Sequence, residues 1–316
     1  MRRSREAQGR RRKSESGVAA ITALLIVAVA AAAAALMLAQ QSAMLDQTML
    51  VASRAQADAY AQAGLDWARG VLAQDAKTSS ADSLDEGWAR PIAGMPIERA
   101  VVAGDIVDEQ GKFNLNNVIY QNARSEPDIK LLRQLLAALE LSPDLADAVV
   151  DWIDGNDDLT SAAGAENPYY LGLPRPYRAA NAPMVQVDEL YRVRGFDARA
   201  VARLRPYVTA LPERTAINVN TAPDAVVAAA FGVSRDKVAP LLAERLKTPY
   251  LDKAAFVASA GRLGLIAVND FDVKSSWFLA RVQVAQDDVV AATDALLKRP
   301  PSAGATPAII WRRPRY

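Results

Sequence analysis

The feature that most constrains this chain is an apolar run from Val18 to Ala39, 22 residues interrupted only by Thr22. As a helix it spans about 33 Å at ~1.5 Å per residue, enough to cross a hydrocarbon core. Seven basic residues (Arg2, Arg3, Arg5, Arg10, Arg11, Arg12, Lys13) precede it against Glu6 and Glu15, a net +5. That excess predicts a cytoplasmic N-terminus and export of everything beyond Ala39. A cleavable secretory signal would have a shorter apolar core ending on small and turn-forming residues. Here "QQSAMLDQTMLVASRAQADAYAQAGLDWARGVLAQ" follows with no Gly or Pro before Gly64. The helix is therefore expected to run on to roughly 50 residues in all, half in lipid and half on a head. Tyr60, Gly64, Trp67 and Val71 recur at i, i+4, i+7 and i+11, which predicts that this face lies on the head.

The whole chain carries +1, so the part beyond the leader is about −4. An acidic remainder has no electrostatic footprint for a phosphate backbone and argues against nucleic acid as a partner. The absence of Cys and His from all 316 residues excludes thiol nucleophiles, imidazole bases and the usual zinc sites. A composition 51% apolar supplies a large folded core.

The basic leader ending in Gly17, followed by a long apolar helix, resembles the type IV prepilin class. The resemblance implies that Gly17 is the last leader residue and Val18 the first mature one, separated by a membrane-embedded prepilin peptidase. A residue without Cβ can extend into a protease cleft. Prepilins generally carry Glu at the fifth mature position, where this chain has Thr22. In that class the carboxylate is thought to neutralise a neighbour's terminal amine inside the apolar filament, where an unpaired charge is costly. Thr22 cannot do so. A missing Glu with an unusually large head is similar to the K family of minor pseudopilins of type II secretion systems.

In the head, Gln74 to Tyr316, a polar linker "QDAKTSSADSLDEG" precedes "IERAVVAGDIVDEQGKFNLNNV", which reads as two strands joined near Asp108 to Gly111. Strand-like runs return in "SWFLARVQVA" and "AIIWRRPRY", and the residues between are mostly helical. In "SPDLADAVVDWID", Ser142 is the expected N-cap and Pro143 the first helical residue, with Leu145, Val149, Trp152 and Ile153 on one face. Leu131, Leu132, Leu135, Leu136 and Leu139 mark a matching helix before it.

The stretch "DWIDGNDDLTSAAGAENPYY" is the densest cluster of hard oxygen ligands: Asp151, Asp154, Asn156, Asp157, Asp158 and Glu166, with Asn181 and Asp188 further on. Calcium takes about six to eight such oxygens. The spacing is not an EF-hand: Leu159 stands where that loop needs Gly, and Glu166 comes one position late. On the residues alone a calcium loop competes with a solvated acidic turn capping a helix. "DWID", "GAENPYY" and "NAPMVQVDELYRV" are similar to the K-pseudopilin head, and the resemblance implies one or two calcium ions held by Asp154, Asp157, Asp158, Glu166 and Asn181.

Two stretches, "VDELYRVRGFDARAVARLRPYV" and "INVNTAPDAVVAAAFGVSRDKVAPLLAERLKTPYLDKAAF", read as helix, glycine turn, helix, resembling units of DNA-binding proteins. Their phosphate-facing turn is incomplete, since Gly195 is followed by Phe196 and Asp197 and Gly232 by Val233 and Ser234. Ser234, Arg235 and Lys237 leave the second unit less clearly excluded. The other reading makes both units scaffold, as the sterile-alpha-motif-like units of the K head imply. Asn218 and Asn220 are expected to cap a helix near Pro223, and Asn114, Asn116 and Asn117 to bond local backbone. A hydrolase using Asp157 and Glu166 as paired carboxylates is the remaining chemical option.

The resemblance implies an α+β fold: a pilin-like long N-terminal helix on an antiparallel sheet, with a large helical insertion. The divisions are 1–17 leader, 18–73 transmembrane and amphipathic helix, 74–125 first sheet part, 126–212 helical insert with the calcium loop, 213–268 second helical insert and 269–316 terminal strands. It further implies a non-enzymatic subunit anchored in the bacterial inner membrane with a periplasmic head. Its implied partners are minor pseudopilins I and J at the pseudopilus tip, the major pseudopilin, the inner-membrane assembly platform and the prepilin peptidase. The alternative is a membrane-anchored helix–hairpin–helix DNA-binding protein of competence type.

Overall fold

The structure is a computed structural model that describes residues 3–266 and 268–315, with side chains from Gly17 onward. The side-chain chemistry expected of the leader therefore lies outside the described residues. One helix, α1 (Arg3–Thr78), forms the stem. It is longer than the roughly 50 residues expected from length and pattern. Its described stretch Gly17–Thr78 is 62 residues, and its most apolar window has a mean hydropathy of 2.7 with nothing packed on it. Through Val51 the large apolar side chains of this stem are exposed.

The far end of α1 packs through Ala57, Ala61, Leu65, Ala68 and Leu72, spaced four, four, three and four residues apart. This seam lies beside the face expected from the sequence: Tyr60 and Val71 flank it, and Trp67 is 48% exposed. The reason is close approach. A Cβ on Gly64 would sit 2.8 Å from Val282 Cγ1, so at this crossing point the helix lies close to the sheet and leaves no space for a larger side chain.

The sheet has five strands, β1 (Ile92–Ile97), β2 (Ala100–Asp108), β3 (Trp277–Gln286), β4 (Val289–Lys298) and β5 (Ala308–Pro314), in that spatial order and antiparallel throughout. Phe278, Ala280, Val282 and Val284 alternate along β3 onto the α1 seam. The first hairpin turns at Glu98 and Arg99, with Glu98 at φ 51°, not at Asp108–Gly111. There the chain leaves the sheet instead, through a short 3-10 turn in which Gln110 N donates to Asp108 Oδ1 at 2.8 Å. Strand β4 was not anticipated, because "VVAATDALLK" suits a helix as well as a strand; a two-residue turn at Asp287 and Asp288, with Asp287 at φ 50°, pairs it with β3.

Between β2 and β3 sits the helical lobe: α2 (Glu126–Ala138), α3 (Leu145–Ile153), α4 (Asn167–Leu171), α5 (Ala198–Leu204), α6 (Asp224–Phe231), α7 (Arg235–Lys247) and α8 (Lys253–Arg262). Leu131, Leu132, Leu135 and Leu136 of α2 share one core with Val149, Val150, Trp152 and Ile153 of α3. Helix α3 starts two residues later than its expected Pro143, with Asp144 at the cap; Ser142 Oγ instead accepts from Asp144 N at 3.3 Å in the preceding turn.

The asparagines of "FNLNNV" reach far beyond their own turn. Asn116 Nδ2 donates to Met184 O at 2.9 Å and Leu211 O at 2.8 Å, Asn114 Nδ2 to Glu213 O at 2.9 Å, and Asn117 Nδ2 to Thr215 O at 2.8 Å. Local bonding was expected; only Asn116 N to Asn114 Oδ1, at 3.1 Å, is of that kind. Asn218 likewise joins the lobe to the sheet, its Nδ2 donating to Asp82 O at 3.0 Å, Asp108 Oδ2 at 2.9 Å and Ser275 Oγ at 3.0 Å.

Candidate metal centre

The acidic loop leaves α3 at its C-terminus and returns at α4. Asp151 lies in the last turn of α3, Asp154 follows its final residue, and Glu166 immediately precedes α4; all three are buried. Asn181 is fastened beside them by its backbone N–H, which donates to Trp152 O at 3.0 Å, and holds φ 44°, a left-handed conformation asparagine tolerates better than most residues. Five oxygens here are buried without a hydrogen-bond partner: Asp151 Oδ2, Asp154 Oδ1, Glu166 Oε1 and Oε2, and Asn181 Oδ1. Buried polar atoms are ordinarily paired, so a concentration of orphans on one loop marks a place built for something to bind.

The electrostatics point the same way. The Glu166 carboxyl is pushed up to about 8, first by burial and then by Asp151, Asp154 and Asp157, with Arg124 opposing. Asp151 is raised too, by burial foremost, against its bonds from Thr160. Arg124 is the nearby counter-charge, with Nη2 at 3.3 Å from Asp154 Oδ2 and 3.9 Å from Asp151 Oδ1. One guanidinium does not neutralise three buried carboxylates. Gly164 closes the loop over Asp151, since a Cβ there would overlap Asp151 Oδ2. This donor set, all hard oxygen and net negative, fits a calcium ion.

Of the five expected ligands, Asp154, Glu166 and Asn181 contribute orphaned oxygens. Asp157 is exposed; its Oδ1 accepts from Asn167 Nδ2 at 2.7 Å and Asn181 Nδ2 at 3.5 Å. Asp158 is exposed, and its backbone oxygen accepts from Arg124 at 3.3 Å. Asp151, part of the acidic cluster but not among the five, also contributes an orphaned oxygen; its i, i+3 spacing to Asp154 across the helix end is the sequence signal for it. Asp188 stands apart from the loop, paired with Arg205 and 3.7 Å from Arg313. Among the described residues, the one trio of carboxylates with oxygens all within 4.8 Å of one another lies elsewhere, at Asp75, Asp82 and Glu86.

The processing and assembly positions are on the stem. Gly17 lies within the continuous helix with nothing within 4 Å of the place its Cβ would take, and Val18 is exposed. Thr22 turns its hydroxyl back on its own helix, Oγ1 donating toward Val18 O at 3.0 Å and Ala19 O at 2.9 Å, so it presents no polar group outward. In the helix–glycine–helix stretches, Gly195 (φ 84°) and Gly232 (φ 69°) serve as left-handed turns. Asp197 caps α5 by accepting from Ala200 N at 2.7 Å, and Arg235 faces Asp224 at 3.7 Å. Glu166, the supposed second acid of a hydrolase, is buried while Asp157 is tied to Asn167.

The family profile for the type II secretion system (T2SS), protein K, matches residues 111–213, the span containing the acidic loop. Type II secretion system protein K of Aeromonas hydrophila is 36% identical over 254 residues, covering 72% of this chain and 76% of its own. The protein of that name from Pectobacterium carotovorum is 32% identical over 258 residues, covering 75% and 78%. The fold resembles a chain in the crystal structure of the GspK-GspI-GspJ complex from enterotoxigenic Escherichia coli, with a TM-score of 0.73 and 22% identity over 85% of this chain and 99% of that one.

Proposed function

The chain belongs to the type II secretion system protein K family, and from that premise, which makes it a minor pseudopilin, we propose that it caps the periplasmic pseudopilus in company with minor pseudopilins I and J. The observation that carries this reading is the stem. Its first half is apolar and bare, and its second half is the support on which a large head is built. A bare apolar rod is soluble in lipid and, after extraction, in the apolar interior of a helical filament; the head stays in water. The similar E. coli chain comes from a complex with GspI and GspJ, which supports the choice of partners.

The stem is anchored in the inner membrane, the leader is removed between Gly17 and Val18 by prepilin peptidase, and the head works in the periplasm without catalysing a reaction. The assembly platform and major pseudopilin receive it through the stem. Thr22 offers no carboxylate to a neighbour's amine, and the head leaves no room for a subunit above, both fitting the end of a filament. In the head, Asp151, Asp154, Glu166 and Asn181, with Asp157 and Asp158 at the exposed rim, hold calcium, one or two ions; the five orphaned oxygens support this.

The test is mass spectrometry of the protein from cells with an active processing protease, which is expected to give a methylated Val18 N-terminus, together with copurification of pseudopilins I and J. A retained arginine-rich leader, or a processed protein that copurifies with neither partner, contradicts the reading.

A further inference from the structure

The neck of the molecule, where α1 ends and the chain turns toward β1, holds a second acidic cluster that the secretion role does not use. Asp75 on the last turns of α1, Asp82 in the following loop and Glu86 beyond it each place an oxygen within 4.8 Å of the other two. That is the separation of two oxygens on opposite sides of a calcium ion at ~2.4 Å. Each carboxylate has one oxygen already held. Asp75 Oδ2 accepts from Arg299 Nη1 at 3.1 Å, Asp82 Oδ2 from Ser275 N at 2.7 Å and from Arg299 Nη2, and Glu86 Oε2 from Ser83 N at 2.9 Å and Trp88 Nε1 at 2.8 Å.

The independent sign of a ligand is at Asp82. The residue is 1% exposed, and its other oxygen, Oδ1, is buried with no donor. Leaving a buried carboxylate oxygen unpaired beside two more carboxylates is costly unless a cation meets it. Arg299 brings one positive charge against three negative ones and is already spread over Asp75 and Asp82. An open groove lined by Trp67, Gly70, Gln74, Asp75, Thr78 and Trp88 brings solvent to Asp75 at the edge of the cluster.

We propose that Asp75, Asp82 and Glu86 form a calcium site at the neck, separate from the loop between α3 and α4. The ion ties the end of the stem to the loop that starts the sheet and, through Arg299 and Ser275, to the strands β3 and β4. Its position lets it stiffen the joint through which the stem carries the head.

The test uses the full chain in detergent micelles, titrated with calcium chloride by calorimetry, with Trp88 emission as a second signal because its indole donates to Glu86. Two backgrounds are compared, the unaltered protein and Asp154→Asn in the loop. In both, Glu86→Gln is expected to lower the stoichiometry by one ion or weaken one site at least tenfold, and to abolish the emission change. Gln keeps an acceptor oxygen for Ser83 and Trp88 and removes only the charge. Asp75→Asn should do the same, with circular dichroism confirming that the fold is kept. Unchanged stoichiometry and affinity in folded Glu86→Gln and Asp75→Asn overturn the proposal, as does proton uptake without calcium binding. Loss of the loop ion alone in Asp154→Asn leaves the neck signal standing, so the two sites are read separately.

Discussion

At the scale of single residues, the positions that decide most are those where a side chain is missing. A Cβ on Gly104 would lie 2.7 Å from the backbone oxygen of Arg281, in the middle of the β2–β3 pairing. A backbone atom inside a sheet cannot step aside, so Gly104→Ala is expected to lose about 2 kcal/mol, in the range of overpacked sites, measured by denaturant unfolding. No loss would mean that β2 and β3 have slack the structure does not show. Thr22 is the opposite case, a residue whose significance is what it lacks. Its hydroxyl is spent on its own helix, so Thr22→Glu adds a charge to an otherwise silent position. If the bulk of the head is the stronger restraint, pseudopilus tip assembly and export should change only mildly. Complete loss of assembly with a correctly folded head would contradict the capping role. Neither Gly104 nor the Gly64 approach was legible as such in the sequence, where a glycine in a strand or helix looks like a simple weakness.

Among elements, the acidic loop shows how burial makes composition into a site. In the metal-free protein Glu166 has its carboxyl pushed up to about 8 from an ordinary 4.5, by burial first and then by Asp151, Asp154 and Asp157. The sign follows from linkage: a carboxylate raised in the folded state is favourable when protonated. This group's contribution to stability is therefore full below about pH 4.5 and is lost as pH rises toward about 8. Excess calcium is expected to abolish that slope, because the ion takes the place of the proton, and Glu166→Gln should flatten it in the absence of metal. Thermal unfolding over pH 5 to 8, with and without calcium, checks both; a calcium-insensitive slope would count against the site. The density of Asp and Asn in this loop was visible from sequence. Which oxygens are left unpaired was not, since Asp157 and Asp158 look as good on paper as Asp151, yet they face solvent while Asp151 is enclosed.

For the whole molecule, the question is how an insertion of this size stays in register with the sheet that carries it. Asn218 answers for one point of contact, giving its amide to the Asp82 loop, to Asp108 at the end of β2 and to Ser275 before β3. Asn218→Ala leaves those acceptors with fewer donors and is expected to separate unfolding into two calorimetric transitions, sheet and helical lobe, where the unaltered protein shows one. A single transition at lower temperature would mean that other contacts suffice to couple the lobes. The asparagines of "FNLNNV" act on the same scale, and their reach to Met184, Leu211, Glu213 and Thr215 explains why local sequence misread them. An amide side chain shows only that it wants partners; chain topology decides where they are.

The amino-acid sequence alone indicated the stem, because an apolar stretch of 22 residues is long enough as a helix to cross a hydrocarbon core; the class of the molecule came from the resemblance of the Gly17 junction and the acidic loop to the K pseudopilins. Tertiary structure decided which face of that helix meets the sheet, where the first hairpin turns, that β4 is a strand, and which acids are enclosed. Those outcomes depend on close approach and on partners distant along the chain, and periodicity within a short window records neither.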